Sequence, residues 1–397
     1  MNHNELLKKV NPVYFSAKGC LGLLAETKEP DIMRFYNEVD KETITPGSID
    51  INNPITKSWV VSIEVRYNTW NVIAQKTDCP NIVDLPCGYL PHCLKAAKLN
   101  KKYYGLDLPI VIEEISPIAF KNLSDAEKNF VQYHAADATN YISLRNALKD
   151  VQGKICIITD GLLGYFNRYD LKAVCQNIHR LLREFGGCWY TSDYEFSDLM
   201  AATYALVTGG KKSDMLEANT SGSGKIADAD NSDFIFNTGT LEERKNFIEE
   251  CGFNVKTFRY SDMINFIPSL KENPELMQKI LSAYQDFEGW ILTADETAET
   301  QETEIPFAQN FSVKDNVLSI SISGRLDSIT APELLQKYEE QRAKNIFDEI
   351  HVDAANLKYI SYAGLRALKI MQESCNFKIS NMNDEVKKIF EENQEKI

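Results

Sequence analysis

Short apolar runs alternate with helical patterns from about Asn81 to Ser192. The apolar runs have the four to eight residues typical of strands buried in a sheet. The predicted strands are Ile82–Leu85, Tyr103–Leu108, Val131–Ala135, Ile155–Thr159 and Cys188–Thr191. The predicted helices between them are Pro91–Leu99, Leu108–Asn122, Asn140–Lys149 and Leu171–Glu184. This order predicts an α/β fold in which a parallel sheet is covered by helices on both faces.

The chain on either side of this region adds further elements. Residues before Asn81 look mainly helical, and we expect them over the ligand-binding edge of the sheet. Gly209–Asp233 is polar and rich in glycine and serine, which favours a surface loop over a lid. Thr240–Glu250 is predicted as an amphipathic helix that stops at Gly252, and Asn254–Arg259 as a strand.

An acidic segment divides the chain. Asp295–Glu304 contains five acidic residues and no basic one. A segment of this composition cannot bury enough apolar surface to offset its ordering entropy, so we predict a linker. The predicted division is a first domain at 1–294, a linker at 295–305 and a second domain at 306–397.

The second domain shows a small α/β pattern of its own. Val317–Ser323 alternates like a strand, and Thr330 with Pro332 opens a helix. The elements predicted after it are the strands Ile350–Asp353 and Phe377–Ile379 and the helices Ala363–Glu373 and Asn383–Glu392. We therefore expect an independent unit of about ninety residues.

Charge and cysteine content exclude several classes of function. The net charge is −14 and no basic cluster is present, which argues against nucleic acid as a partner. The nine cysteines form no C-x-x-C pair and no zinc spacing with histidine, so we expect no metal. No apolar run approaches the ~20 residues of a membrane span, and the first residues show no basic apolar leader. We expect a cytoplasmic protein without a membrane partner.

The most informative motif is the turn after the first predicted strand. Asp84 ends the apolar run, and Pro86, Cys87 and Gly88 form a tight turn before a helix. Asp107 follows Gly88 by 19 residues, close to the spacing of an acid that binds ribose hydroxyls. A dinucleotide site would need three glycines here. The single glycine favours an adenosine ligand without a pyrophosphate, which suggests S-adenosyl-L-methionine.

Four segments of the first domain resemble the leucine carboxyl methyltransferase family, class I S-adenosylmethionine-dependent O-methyltransferases. The segments are Ile82–Tyr89, Gly105–Pro109, His134–Asp137 and Thr159–Tyr165. The resemblance covers roughly residues 10 to 260 and rests on the order and spacing of the motifs. It implies a Rossmann-like class I methyltransferase sheet.

The resemblance also implies a role for each matched residue. Gly88 would let the backbone approach the methionine part of the cofactor, and Asp107 would bind the ribose diol. Asp137 would face the adenine amino group, while Asp160 and Gly161 would line the methionine end. Carboxylates accept hydrogen bonds from hydroxyls and amines, and glycine permits close approach. Asp84, at the strand end, is included in the predicted cofactor site, although Asp84 and Asp160 are open to a structural role as strand-end residues.

In this family a basic pair near the N terminus clamps the methionine carboxylate. Lys18 occupies one expected position, and Arg66 is the preferred residue for the other, with Glu64 as the alternative. The family turn is usually Gly-x-Gly, whereas this chain has Pro86, Cys87 and Gly88.

The implied reaction is methyl transfer from a sulfonium to an oxygen nucleophile. A carboxylate acceptor is already ionised at neutral pH and needs no general base. Catalysis would then depend on proximity, alignment and desolvation of the acceptor. The sequence therefore names no catalytic residue, and the acceptor stays open among a protein C terminus, a small carboxylic acid and a polyketide-like acid.

The second domain resembles a STAS domain, the fold of bacterial anti-sigma factor antagonists. The matching segments are Ile322–Asp327, Thr330–Leu334, Val352–Asp353 and Leu357–Leu368. In partner-switching members a Ser or Thr directly before the glycine at a helix N-terminus takes a regulatory phosphate, and the corresponding glycine here is Gly364. This chain has Ala363 there, and Ser361 is the nearest hydroxyl, which we expect to be a helix cap.

We interpret the chain as an S-adenosylmethionine-dependent O-methyltransferase whose STAS domain binds an anti-sigma-factor-like protein partner. The alternative is a binding protein, in which a degenerate methyltransferase fold senses S-adenosylmethionine or acts as a scaffold for STAS signalling. The altered turn at Pro86 and Cys87 supports this alternative. Formation of a methylated product separates the two hypotheses.

Overall fold

The computed structural model describes residues 3–41, 53–214, 235–295 and 305–393. Contacts between Cα atoms divide the chain into two compact units. The larger unit comprises Val13–Asp107 and Val111–Thr300, and the smaller comprises Met1–Pro12, Leu108–Ile110 and Gln301–Ile397. Most of the predicted surface loop (215–233) and of the acidic linker (296–304) lies outside the described residues.

The first part of the chain forms four helices, as the apolar periodicity before residue 81 predicts. They are α1 (His3–Val10), α2 (Tyr14–Ala25), α3 (Pro30–Glu38) and α4 (Pro54–Lys76). A proline stands at the start of α3 and of α4, and an acceptor side chain caps each: Glu29 for α3 and Asn53 for α4. Proline at the first helical position supplies a suitable φ and loses no helical hydrogen bond.

Alternating strands and helices follow. They are β1 (Asn81–Asp84), α5 (His92–Lys98), β2 (Lys102–Asp107), α6 (Pro109–Asn122), α7 (Asp125–Lys128), β3 (Val131–Ala135), α8 (Tyr141–Ala147), β4 (Ile155–Thr159), α9 (Arg168–Phe185) and β5 (Gly187–Thr191). Every residue of β1 and β4 is buried, as expected for central strands covered on both faces. The five predicted strands agree with β1–β5 to within one or two residues.

The larger unit is completed by α10 (Phe196–Thr208), α11 (Ile235–Thr238), α12 (Leu241–Glu250), β6 (Phe253–Arg259), α13 (Tyr260–Met263), α14 (Pro274–Ala283) and β7 (Glu288–Ala294). Its seven strands are ordered β3-β2-β1-β4-β5-β7-β6. Strand β7 runs antiparallel to both β5 and β6. The sequence did not predict β7.

The strand order reverses between β1 and β4, which pair in parallel with Asp84 beside Ile158. Right-handed connections on the two sides of this point place their helices on opposite faces of the sheet. A reversal of this kind opens a crevice at the carboxyl ends of the strands, where ligands bind in open α/β sheets. The predicted Rossmann-like α/β class is confirmed, and the candidate site lies at this edge.

The smaller unit has a four-stranded sheet, β11-β10-β9-β8. Its elements are β8 (Ala308–Lys314), β9 (Val317–Leu326), α15 (Thr330–Lys344), β10 (Glu349–Ile360), α16 (Tyr362–Gln372), β11 (Asn376–Ser380) and α17 (Asp384–Asn393). Strand β10 is longer than predicted, and the edge strand β8 was not predicted. This unit also contains α1, which the sequence analysis assigned to the first domain.

Candidate functional site

The turn after β1 brings two predicted site residues into contact. Gly88 has a φ of +52°, a left-handed conformation that favours glycine. Its N–H donates to Oδ2 of Asp107 at 2.8 Å. Asp107 ends β2 and is 6% exposed. The glycine turn therefore holds the Asp107 carboxylate at the carboxyl edge of the sheet, between the ends of β1 and β2.

Helix α2 lies against the same turn. A Cβ added to Gly88 would be 3.5 Å from the Cβ of Ala17, so the turn approaches this helix closely. Farther along, the Tyr165 hydroxyl donates to the Ser16 hydroxyl at 2.9 Å. Tyr165 belongs to the loop after β4. The first turns of α2 thus contact the loops that follow both β1 and β4, as expected for a helix over the ligand-binding edge.

Lys18, on α2, is fully buried and has a carboxylate partner within the chain. Its Nζ lies 2.7 Å from Oε2 of Glu114 on α6 and donates to the Asp40 carbonyl at 3.0 Å. The Tyr89 hydroxyl donates to the same carboxylate at 3.0 Å, and the Lys18 ammonium lies 5.2 Å from the Tyr89 ring centre. The predicted clamp lysine is therefore next to the glycine turn, with its charge balanced by Glu114.

Arg66, on α4, is placed beside the loop after β4. Its guanidinium forms an ion pair with Asp160 and lies 3.4 Å from Oδ1 of Asp193. The guanidinium carbon is 3.8 Å from the ring centre of Phe196, in a cation–π contact. Burial alone would lower the pKa of Arg66, but the two carboxylates outweigh it and raise that pKa. The structure thus joins two predicted residues, Arg66 and Asp160.

Asp193, just after β5, is a site residue that the sequence analysis missed. It accepts the N–H groups of Gly161 at 2.7 Å, Leu162 at 2.9 Å and Leu163 at 2.9 Å. Burial raises the pKa of Asp193, while Arg66 acts in the opposite direction. Gly161 has a φ of +72°, and its bond to Asp193 fixes the loop after β4. An acid after a predicted strand was the available signal, as it was for Asp107 and Asp160.

Asp84 occupies a different environment from the other predicted acids. It is 1% exposed, and its Oδ1 accepts a hydrogen bond from Trp70 Nε1 at 2.9 Å. Its Oδ2 accepts the Tyr103 hydroxyl at 2.7 Å and lies 3.0 Å from His92 Nδ1. The His92 ring stacks on Trp70 with 4.0 Å between centres. These contacts use both oxygens of Asp84 within the protein and favour the structural role.

Asp137 follows β3 and forms a local turn. Its Oδ1 accepts the N–H of Thr139 at 2.8 Å and the Thr139 hydroxyl at 2.7 Å. The Ala136 N–H donates to the Asp107 carbonyl at 2.8 Å, so the ends of β2 and β3 meet here. Asp137 is 5% exposed. It therefore stands beside Asp107 along the edge of the sheet.

The charge around Arg66 at this edge is negative. Two carboxylates, Asp160 and Asp193, surround one guanidinium and leave one formal negative charge. The thiol of Cys20 on α2 lies in the same field, and its pKa is raised chiefly by burial. A cationic ligand is favoured in such a site.

The described residues contain no group of three or more His, Cys, Asp or Glu side chains arranged to hold a metal.

Ser361, the hydroxyl nearest the STAS phosphorylation position, caps α16. Its side chain accepts the Gly364 N–H at 3.3 Å. A Cβ on Gly364 would lie 2.5 Å from the Leu326 carbonyl oxygen, so this helix start packs tightly on the end of β9. The arrangement is the helix cap that the sequence analysis predicts.

Within the described ranges, every helix is too short or too polar to cross a lipid bilayer.

Comparison with protein families identifies the smaller unit. A family described as "Mlab, STAS domain" matches residues 310–393. The predicted STAS domain at the C-terminal end is therefore confirmed. No curated protein sequence matches the chain.

Several solved structures similar to this chain are methyltransferases. An O-methyltransferase family protein from Burkholderia thailandensis is 10% identical, with 70% of this chain and 73% of that chain covered and a TM-score of 0.35. Human N-acetylserotonin methyltransferase, solved with S-adenosylmethionine, is 12% identical, with 70% and 67% covered and a TM-score of 0.31. The methyltransferase domain of bacterial CtHen1-C is 13% identical, with 59% and 99% covered and a TM-score of 0.34. Similarity at this level is weak, so we take the fold from the strand order itself.

Proposed function

We propose that the larger unit is an S-adenosylmethionine-dependent O-methyltransferase that acts on a carboxylate, related to the leucine carboxyl methyltransferases. The observation that carries the proposal is the bond from the Gly88 N–H to Asp107, beside the point where the strand order of the sheet reverses. The reversal between β1 and β4 supports it, because ligands of open α/β sheets bind in the crevice that such a reversal opens.

The residues present fit S-adenosylmethionine. Asp107 offers a carboxylate of fixed orientation to a ribose diol, because the Gly88 N–H holds one of its oxygens. Gly88 permits the left-handed turn that places this N–H. The ligand carries a sulfonium, an ammonium and a carboxylate, and so one net positive charge. The surplus negative charge around Arg66, Asp160 and Asp193 matches that sign. For the second position of the clamp Arg66 remains preferred to Glu64, because a guanidinium has more N–H donors than a single ion pair uses.

The cofactor would supply an activated methyl group, and the protein's part is alignment. Asp193 fixes the backbone of residues 161–163, and Arg66 is fixed in turn by Asp160, Asp193 and Phe196. These contacts would hold the methionine part of the cofactor in a fixed position, and this alignment does not depend on a general base. A carboxylate acceptor suits such a site because it needs no deprotonation at neutral pH.

Calorimetry with S-adenosylmethionine and S-adenosylhomocysteine tests cofactor binding. Replacing Asp107 by alanine removes a charge-assisted hydrogen bond worth about 1.5–3 kcal/mol, so affinity should fall roughly ten- to a hundredfold. Asp150→Ala, an equal change at an exposed acid, serves as the matched control. Absence of binding to the unmodified chain at millimolar ligand would contradict the proposal.

The predicted clamp has its own test. Lys18→Met or Arg66→Met should weaken S-adenosylmethionine more than methylthioadenosine, because the latter lacks the methionine carboxylate. Equal losses of affinity for both ligands would mean that Lys18 and Arg66 serve only the internal ion pairs with Glu114 and Asp160. A chain that binds the cofactor but methylates no acid in a panel of carboxylic acids and peptide C termini would be the sensor of the alternative hypothesis.

For the smaller unit we propose a role in protein interaction that controls the larger one. The STAS match supports a binding role, and α16 with its Ser361 cap is the proposed docking element. Gly364→Asp should abolish partner capture, because any Cβ there clashes with the Leu326 carbonyl. Cofactor affinity measured on the same variant shows whether the larger unit is intact.

A further inference from the structure

Two cysteines that are far apart in the sequence lie together in the larger unit. Cys175, on α9, is fully buried in an apolar cluster of this unit. Cys251 is the cap residue at the end of α12, and it packs against the same cluster while remaining half-buried. One thiol of the pair is therefore within reach of solvent, and the other is protected from it.

Two ring contacts fix how the segments that carry these cysteines face each other. Arg168, at the start of α9, has its guanidinium carbon 5.3 Å from the ring centre of Phe247 on α12. Farther along α9, the His179 ring lies edge-on to the ring of Phe253, the first residue of β6, with 5.4 Å between centres. Each cysteine lies between these two contacts on its own segment. The two segments therefore run side by side here, with the thiols between them.

The two thiols interact, and they differ in acidity. Burial holds the pKa of Cys175 well above its usual range. The Cys175 thiol, which can donate to the Cys251 sulfur, is the largest influence on Cys251 and lowers its pKa. Burial and Glu250 act against this change, while the exposed side chains of Lys172 and Arg168 act with it. A thiolate therefore forms more readily on Cys251, the thiol that solvent reaches.

A second group of thiols, at the start of the central strands, lacks this difference. Cys156 and Cys188 are paired residues of β4 and β5, and Cys79 precedes β1. The neighbouring Cys156 raises the pKa of Cys188 to about 12, and Cys188 in turn raises the pKa of Cys79. At neutral pH neither Cys79 nor Cys188 is favoured as a thiolate, so this group serves as an internal comparison.

We propose that Cys175 and Cys251 are a dithiol that a peroxide oxidises to a reversible disulfide. The Cys251 sulfur attacks one oxygen of the peroxide, the O–O bond breaks, and the other oxygen leaves as water, so that Cys251 becomes a sulfenic acid. The Cys175 sulfur then attacks the Cys251 sulfur, and the sulfenic hydroxyl leaves as water with the Cys175 proton. The two thiols are oxidised while one hydrogen peroxide is reduced to two waters. A small thiol reverses the bond by exchange and is itself oxidised to its disulfide.

Mass spectrometry of the unmodified chain tests the disulfide without any substitution. The reduced chain is treated with hydrogen peroxide, its remaining thiols are alkylated, and it is digested. We expect a pair of peptides linked through Cys175 and Cys251, with the other cysteines alkylated, and we expect dithiothreitol to separate the pair. The absence of this linked pair, or a link among Cys79, Cys156 and Cys188 in its place, would overturn the proposal.

Dimedone, a reagent that traps sulfenic acids, tests which thiol attacks first. Cys175→Ala leaves Cys251 without a second thiol, so dimedone should label Cys251 in this variant and should lose that label in the unmodified chain. The matched control is Cys188→Ser, which should form the disulfide and stay unlabelled at Cys251, as the unmodified chain does. Equal labelling of Cys251 in Cys175→Ala and the unmodified chain would overturn the assigned order of attack. Labelling of Cys175 in a Cys251→Ala chain would overturn it as well.

Discussion

Replacing Asp84 by asparagine changes one oxygen of a buried carboxylate into an NH₂ group with almost no change in shape. The structure gives this carboxylate three side-chain partners: Trp70, His92 and Tyr103. An amide has one oxygen, so it cannot accept at both ends. If that oxygen keeps His92 and Tyr103, the Trp70 indole N–H then faces the new NH₂ group and has no acceptor.

The cost follows from the burial of that network. A buried donor left without an acceptor costs about 1–3 kcal/mol, and we expect this loss in free energy of unfolding for Asp84→Asn. For Asp84→Ala, which removes all three bonds, the expected loss is about 3–5 kcal/mol. At about 2–4 °C per kcal/mol for a unit of this size, Asp84→Asn should lower the melting temperature by about 2–12 °C.

Thermal and urea unfolding followed by tryptophan fluorescence measure this, since Trp70 stacks on His92 within the network. Asp150→Asn, at an exposed acid, is the matched control. Cofactor affinity should change little in Asp84→Asn at temperatures where it is folded. A variant as stable as the control that no longer binds S-adenosylmethionine would refute the structural role, and would return Asp84 to the cofactor site.

Three further outcomes are expected. Burial raises the pKa of the Glu64 carboxyl above its usual 4.5. The stability that its protonated form contributes is full below that value and is lost as the pH rises through the raised pKa, so Glu64→Gln should gain stability relative to the unmodified chain as the pH rises above 4.5 in urea unfolding. Ser361→Ala removes the acceptor of the Gly364 N–H and should destabilise the STAS unit by about 0.5–2 kcal/mol in thermal unfolding, while Ser361→Asp should not. Gly161→Ala places an alanine at a φ of +72°, with its Cβ 3.0 Å from the Arg66 guanidinium. This variant should lose about 1–2 kcal/mol in free energy of unfolding and should bind S-adenosylhomocysteine more weakly in calorimetry.

The central strands could be predicted because each is an unbroken apolar run between turn residues. Strand β4 is buried at every position, and its sequence, Ile-Cys-Ile-Ile-Thr, is apolar in four of its five residues. Strand β8 was missed because it is an edge strand whose residues alternate between exposed and half-buried, with no strongly apolar face. Strand β7 was missed because its strongly apolar run is only three residues long, Trp290–Leu292, although Trp290 and Leu292 are fully buried.

The candidate site was predictable where chemistry follows strand ends, and not where it depends on pairing across the fold. Asp107 and Gly88 could be placed together because parallel strands end at one edge. The environment of Asp84 could not be foreseen, since its donors come from α4, α5 and β2. Asp193 accepts hydrogen bonds from backbone N–H groups some thirty residues earlier in the chain, and no local sequence pattern predicts that contact.

The position of α1 has a consequence for biosynthesis. Leu6 and Val10 leave the ribosome well before the strands that cover them, which begin more than 300 residues later. At about 5–20 residues per second, this interval lasts roughly 15–60 s. Throughout it the two aliphatic side chains lack these strands as partners, and the STAS core closes only by joining segments that lie far apart in the sequence. A nascent chain stalled before β9 would therefore present α1 to chaperones as an exposed amphipathic segment.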